Sequence, residues 1–333
     1  MSDLAPPLSN PAADPYGYLD LTHHPDGTIT RKASSIPTIS FAPDLSHSSP
    51  VLFKDIPINQ SKNNLARVFV PRETLDSTST NAPLPLILYY HGGGFVITTA
   101  ATCLSHDFCF NIALQLSAVV ISVDYRLAPE HRLPAAYDDA MEALHWIKTA
   151  DDDWLRKHAD LNNCFVMGTS AGANIAYHAC LGAVTQVNDL LPLKIKGLVL
   201  HHPFFGGVKR TESELRSVND AVLPPAVSDL MWELSLPIGV DRDHEYCNPT
   251  AGGGSKMLDK MGLLGWKVLV TGCDGDPLID RQIAVAKMME EKGVQVKSHF
   301  SVGDYHGADL VDPSKSTALF IALKSFLMSP MAD

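Results

Sequence analysis

Short, unbroken apolar runs alternate along this chain with longer segments of helical periodicity, and that alternation predicts its architecture. Residues 85–90, 118–123 and 164–167 are such runs, and further strands are expected at 195–200, 267–271 and 294–300. Runs of this length without polar alternation fit strands covered on both faces, as in a parallel sheet. Between them the spacing predicts helices over 105–115, 134–150, 280–292 and 314–327, and another opening after Ser170. The second is the clearest: Pro134 stands at its start, and Ala140, Ala143, Leu144 and Ile147 fall at i, i+3, i+4 and i+7. Two more strands are expected at 51–56 and 65–70, the latter alternating with period two. Strands alternating with helices imply one α/β domain, 1–333, with a mostly parallel sheet flanked by helices. The pattern breaks twice. Residues 1–48 are rich in Pro, Ser and Asp, with one strand-like piece at 27–31, and are expected to lie as an arm over the main domain. Residues 204–261 carry a single good helix, near 225–236, and read as an insertion over the C-terminal edge of the sheet. A polar loop is expected at 76–82.

The chemistry gathers at predicted strand ends, where open α/β sheets place their working residues. Gly168-Thr169-Ser170-Ala171-Gly172 joins a strand to a helix. A serine on such a sharp turn stands clear of the sheet, and glycine two residues to either side removes the Cβ atoms that would collide there. Asp276 follows the run ending at Thr271, and His306 follows the run ending at Phe300. A serine hydroxyl needs a base to take its proton, and a buried carboxylate to fix the histidine tautomer, so Ser170, His306 and Asp276 are the candidate catalytic residues. The tetrahedral oxyanion then needs donors in place. Gly92 and Gly93, in His91-Gly92-Gly93-Gly94, and Ala171 offer backbone N–H groups for it. Asp274 and Asp280 are rivals to Asp276, and Asp280 reads as a cap on the following helix. Asp304 reads as a solvated loop acid. His201-His202 and His23-His24 have no carboxylate or cysteine at ligand spacing, so they read as structure or pocket lining and no metal site is expected. Gly252-Gly253-Gly254 lacks the Lys-Ser/Thr of a phosphate cradle.

Composition then limits the partners. A formal charge of −11 argues against nucleic acid or an anionic membrane surface, and no apolar run approaches the ~20 residues of a membrane span. The N-terminus shows no basic stretch followed by an apolar core, and the six cysteines are scattered with no C-x-x-C pair. A reduced cytoplasmic protein, monomeric or a weak homodimer, is the expectation.

Together, Tyr90 to Phe95, Val123-Asp124-Tyr125-Arg126-Leu127-Ala128-Pro129-Glu130-His131, the Ser170 turn with Asn174, Gly275 to Asp280 and Tyr305-His306-Gly307 resemble the plant carboxylesterases of the hormone-sensitive-lipase-like group of α/β-hydrolases. The likeness extends over most of the chain, about 14–327. It implies an α/β-hydrolase fold, a cap made from about 1–48 and 204–261, hydrolysis of small-molecule esters with short acyl groups, and no cofactor. Phe95, Phe204, Phe205, Leu230 and Trp232 are candidates to line the pocket, with plain core as the equal alternative for each. The 123–131 motif gets no catalytic role and is taken as scaffold. Two positions depart from the group: Thr169 stands where an acidic residue is usual, and Ala173 where glycine is frequent. Thr169 is expected to alter the local field. Two other readings compete. A gibberellin-type receptor resembles the group but lacks the histidine that this chain keeps at His306; a lyase or cyclase of specialised metabolism would use the same pocket without hydrolysis.

Overall fold

A computed structural model describes residues 11–39, 49–76, 82–251, 253 and 255–329. The start and end of the arm, residues 77–81 of the polar loop expected at 76–82, and two members of the Gly252–Gly254 triplet lie outside these residues. β1 (Leu21–His23) and β2 (Ile29–Arg31) form an antiparallel ribbon in the arm. β3 (Val51–Asn59), β4 (Asn64–Pro71), β5 (Leu84–Tyr90), β6 (Val119–Asp124), β7 (Ala159–Thr169), β8 (Ile195–His201), β9 (Lys267–Cys273) and β10 (Gln295–Ser301) form one sheet in the order β10-β9-β8-β7-β5-β6-β4-β3. β4 alone runs against the rest, pairing antiparallel with both β3 and β6.

The continuous apolar runs are buried on both faces, as their composition requires. Along β5, Leu86, Leu88 and Tyr90 enter one core, with residues of the helices Ala135–Thr149 and Ala171–Ala183. Ile87 and Tyr89 enter a second core on the opposite face, with the helices Cys103–Leu116 and Ser316–Met328. Each large side chain so buried stabilises the fold by about 1.5–3 kcal/mol, enough collectively to hold strained turns at the strand ends. Short helices at Pro15–Tyr18, Asp153–His158, Glu212–Arg216 and Leu258–Leu263 escape the sequence pattern because so few residues show no period. Glu212–Arg216 is defined instead by a capping box between Thr211 and Glu214.

Both irregular segments are fastened near the C-terminal ends of the strands. From the arm, Arg31 donates to the carbonyls of Val96 and Ala128 and pairs with Glu130 at 2.7 Å, and Tyr18 Oη donates to Val222 O at 2.7 Å. The insertion is tied down by Glu214, which pairs with Arg281 at 3.0 Å, and by the Ser213 N–H, which Asp280 accepts at 2.8 Å. Asp280 therefore does not cap the helix Ile279–Glu291, whose N-cap is Leu278; it anchors the insertion.

Candidate active site

Ser170 sits between β7 and the helix Ala171–Ala183 with φ +55° and ψ −119°, a conformation costly for a residue with a Cβ. The neighbouring backbone enforces it: Ser170 N–H donates to His201 O at 2.8 Å, and Ser170 O accepts from the N–H groups of Ala173, Asn174 and Phe204. Glycine is obligatory on either side. A Cβ on Gly172 would lie 2.0 Å from Tyr90 O, and one on Gly168 2.0 Å from Gly172 O.

The turn delivers the serine to a histidine. His306 Nε2 lies 2.9 Å from Ser170 Oγ, and His306 Nδ1 lies 2.7 Å from Asp276 Oδ2. An ionised carboxylate only accepts, so Nδ1 carries the proton and Nε2 presents its lone pair to the hydroxyl. Asp276 is buried and receives three more hydrogen bonds: His202 Nδ1 and Gln282 Nε2 on Oδ2, and Leu278 N–H on Oδ1, each at 2.8 Å. Burial alone would raise its pKa, but the His306 charge and the donors from His202 and His306 hold it far below the usual carboxylate range. For His306 burial pulls downward, and the Asp276 charge and hydrogen bond outweigh it, raising the imidazole above its ordinary value.

The rivals for the acid are elsewhere. Asp274 accepts from Gly303 N–H at 2.8 Å, and Asp304, read from sequence as solvated, pairs with Lys315 at 2.8 Å. His23 stacks on Tyr16, and His24 bonds Thr30, so those two histidines do not converge. His201 and His202 do gain carboxylate partners that their sequence neighbourhood does not show: His201 Nε2 meets Asp309 at 3.1 Å and His202 meets Asp276. His202 and Gln282 are members of the site that sequence reasoning missed; the position of His202 directly after β8 was the available signal.

Three peptide units beside the serine have pinned carbonyls. Tyr125 Oη donates to His91 O at 2.9 Å and to Gly92 O at 3.2 Å. Gly92 O also accepts from Thr98 Oγ1 at 2.8 Å and lies 2.9 Å from His91 Nδ1. A trans peptide holds its N–H antiparallel to its C=O. Fixing His91 O, Gly92 O and Ser170 O therefore aims the N–H groups of Gly92, Gly93 and Ala171 away from those donors, and none of the three donates to a described residue. Burial raises the Tyr125 pKa well above normal, so its hydroxyl stays a donor. The 123–131 motif thus gains a role: Tyr125 fixes the glycine loop, Arg126 grips buried Asp139 with hydrogen bonds of 2.7–3.0 Å, and Ala128 N–H holds Phe95 O. Thr169 is buried and accepts from Tyr89 Oη at 2.9 Å.

A cavity of about 210 Å³ opens above Ser170 and His306. The arm contributes Tyr18 and Ile36, the insertion Val222, Leu223 and Met231, and the segment after His306 Leu310 and Val311. No Asp, Glu, Lys or Arg lines it among the described residues. The aromatic lining expected from sequence is not found there. Phe95, Phe204 and Trp232 pack on one another behind the cavity, Phe204 and Trp232 stacked at 4.7 Å. Phe205 packs edge-on against Tyr177, and Leu230 is buried in the core. Met231, next to both Leu230 and Trp232, is the residue of that helix that reaches the cavity.

A family described as alpha/beta hydrolase fold matches residues 87–310. The chain is 53% identical to Carboxylesterase 20 of Arabidopsis thaliana over 321 residues, covering 96% of this chain and 98% of that one. The chain belongs to the plant carboxylesterases of the α/β-hydrolase fold. Its class is accordingly that of a carboxylic ester hydrolase. It is also 46% identical to the 3-O-acetylpapaveroxine carboxylesterase CXE2 of Papaver somniferum, over 95% of this chain and all of that one. Among solved structures, a Pyrobaculum calidifontis esterase superposes with a TM-score of 0.67 at 27% identity, covering 84% of this chain and 86% of the other.

Proposed function

We propose that this carboxylesterase hydrolyses short-acyl esters of small neutral molecules through Ser170, His306 and Asp276. The observation that carries the reading is the unbroken hydrogen-bonded line from Ser170 Oγ through His306 to Asp276 Oδ2. Ser170 Oγ attacks the acyl carbon as His306 Nε2 takes its proton. Asp276 stabilises the imidazolium that forms, and the N–H groups of Gly92, Gly93 and Ala171 receive the oxyanion, each worth ~10²–10³ in rate. The helix N-terminus at Ala171 adds a favourable field for that negative charge. His306 returns the proton to the leaving alcohol, then activates water to release the acid from Ser170. The arm and insertion act as the cap that closes the cavity. Its volume of about 210 Å³ lies below the ~300–1,000 Å³ of a drug-sized ligand site, which supports a short acyl group. Its uncharged lining supports a neutral substrate, and the poppy relative is itself named for an acetyl ester.

Hydrolysis of p-nitrophenyl acetate, butyrate and palmitate by purified protein, compared with folded Ser170→Ala and His306→Ala, tests the proposal. Turnover is expected on acetate and butyrate and near background for both variants. Wild-type rates equal to those of Ser170→Ala, or a preference for palmitate, would overturn it.

A further inference from the structure

We infer that His202 is a positioning residue for this site, a second imidazole donor that shares with His306 a single oxygen of Asp276. The inference rests on the catalytic reading of Ser170, His306 and Asp276. His202 directly follows β8, is buried, and holds φ +45°, an uncommon backbone for a residue with a Cβ. Its N–H donates to Thr271 O at 2.8 Å on β9, so the strained position is tied to the strand that leads to Asp276. The ring then spans the gap: Nδ1 lies 2.8 Å from Asp276 Oδ2, against 2.7 Å for His306 Nδ1 at the same atom, and the two rings cross at 77°. Both Nδ1 atoms must carry hydrogen, because the carboxylate can only accept.

The charge state of His202 decides what this contact does. Asp276 and His306 face it from the loops after β9 and β10, His201 adjoins it on β8, and Asp309 Oδ1 lies 4.0 Å from its Nε2 on the helix Ala308–Val311. Asp304, Lys315 and His299 line the small gap shared by His201 and His202. Burial pulls the His202 pKa down, His201 and His306 add to that, and the Asp276 hydrogen bond does not reverse it. A neutral His202 orients Oδ2 without taking the carboxylate charge that His306 needs once it holds the Ser170 proton. A cationic group there would compete with the imidazolium.

His202→Phe keeps ring bulk and Cβ while removing the donor; His202→Asn restores an N–H near the Nδ1 position and tolerates the left-handed backbone. For His202→Phe we expect kcat on p-nitrophenyl acetate to fall about 10–100-fold, KM to stay within about twofold, and the acid limb of kcat/KM to move to higher pH. The shift follows because Asp276, less dispersed by hydrogen bonding, attracts the His306 proton more strongly. His202→Asn is expected to recover kcat to within about fivefold and to restore the acid limb. An NMR titration of the His306 ring in each protein reads the same coupling without turnover. If the wild type hydrolyses no ester but the His306 titration still moves in His202→Phe, the esterase reading fails and the coupling stands. A folded His202→Phe with an unshifted His306 titration, or a His202→Asn as impaired as His202→Phe, would overturn the inference.

Discussion

Removing one hydroxyl, in Tyr125→Phe, tests how the proposed oxyanion donors are held. The ring would keep its place, stacked on His91 with centroids 4.2 Å apart, so packing is conserved. What disappears is the donor to His91 O at 2.9 Å and to Gly92 O at 3.2 Å. Gly92 O keeps Thr98 and His91, so the peptide presenting Gly93 N–H stays fixed. His91 O loses the Tyr125 hydroxyl, so the peptide presenting Gly92 N–H is the one that loosens. Full loss of one oxyanion donor costs ~10²–10³ in rate. Loosening without removal sets the expectation at about 10–100-fold in kcat, or roughly 1.4–2.7 kcal/mol of transition-state stabilisation. An under-satisfied buried carbonyl further costs about 1–3 kcal/mol of folding stability. The assay is kcat and KM on p-nitrophenyl acetate, with inhibition by a trifluoromethyl ketone that mimics the tetrahedral oxyanion. kcat and inhibitor affinity should fall together while KM stays within about threefold. A folded variant with wild-type kcat and wild-type inhibitor affinity would refute the pinned-peptide reasoning.

In the proposed mechanism His306 must be neutral to accept the Ser170 proton, and Asp276 outweighs burial to raise its pKa above the ordinary 6.5. Wild-type kcat/KM should therefore decline as pH falls through a midpoint above that value, which a pH–rate profile reads directly. Asp276→Asn removes the raising charge and leaves burial to dominate, so the residual activity should show an acid limb at lower pH, with kcat down by about 10³–10⁴. Because Asp276 is depressed in the folded state, its ionised form contributes stability above the ordinary carboxylate pKa of about 4 and loses it as pH falls further. The wild-type advantage over Asp276→Asn in urea midpoint should accordingly shrink below about pH 4. Met231→Ala trims the insertion's contribution to the cavity wall; the octanoate-to-acetate ratio of kcat/KM should rise about tenfold, with a stability loss of about 2–3 kcal/mol by thermal or urea unfolding.

The sheet was legible in the sequence because strands buried on both faces must be largely apolar, and the runs at 85–90 and 164–167 announce themselves. The Ser170 turn was legible for a steric reason, since only glycine clears Tyr90 O and Gly172 O. The order Ser170, Asp276, His306 could be read because each residue follows a strand end. The cavity wall could not. It is assembled from Tyr18, Ile36, Val222 and Met231, which are far apart in sequence and lie in segments with little periodicity. Aromatic residues adjacent to the site were misleading: Phe95, at φ +65°, packs against Phe204 and Trp232 in a buried cluster instead of lining the cavity. Gln282 approaches Asp276 through the docking of the helix Ile279–Glu291, which no local pattern encodes, and His202 does so through β8 lying beside β9, where its place directly after β8 was the one signal. Tyr125 lies in a motif that sequence marks clearly and chemistry alone does not explain until its hydroxyl is seen at His91 O.

The central claim is that Ser170 becomes acylated with His306 as its base. Rapid quenching of the protein with p-nitrophenyl acetate, followed by peptide mass spectrometry, tests it most directly. One acetyl group is expected on the peptide carrying Ser170, disappearing as turnover completes, absent from Ser170→Ala and formed far more slowly in His306→Ala. Ester turnover with no acetyl on Ser170, or an acetyl on another residue that turns over at the same rate in Ser170→Ala, would contradict the account.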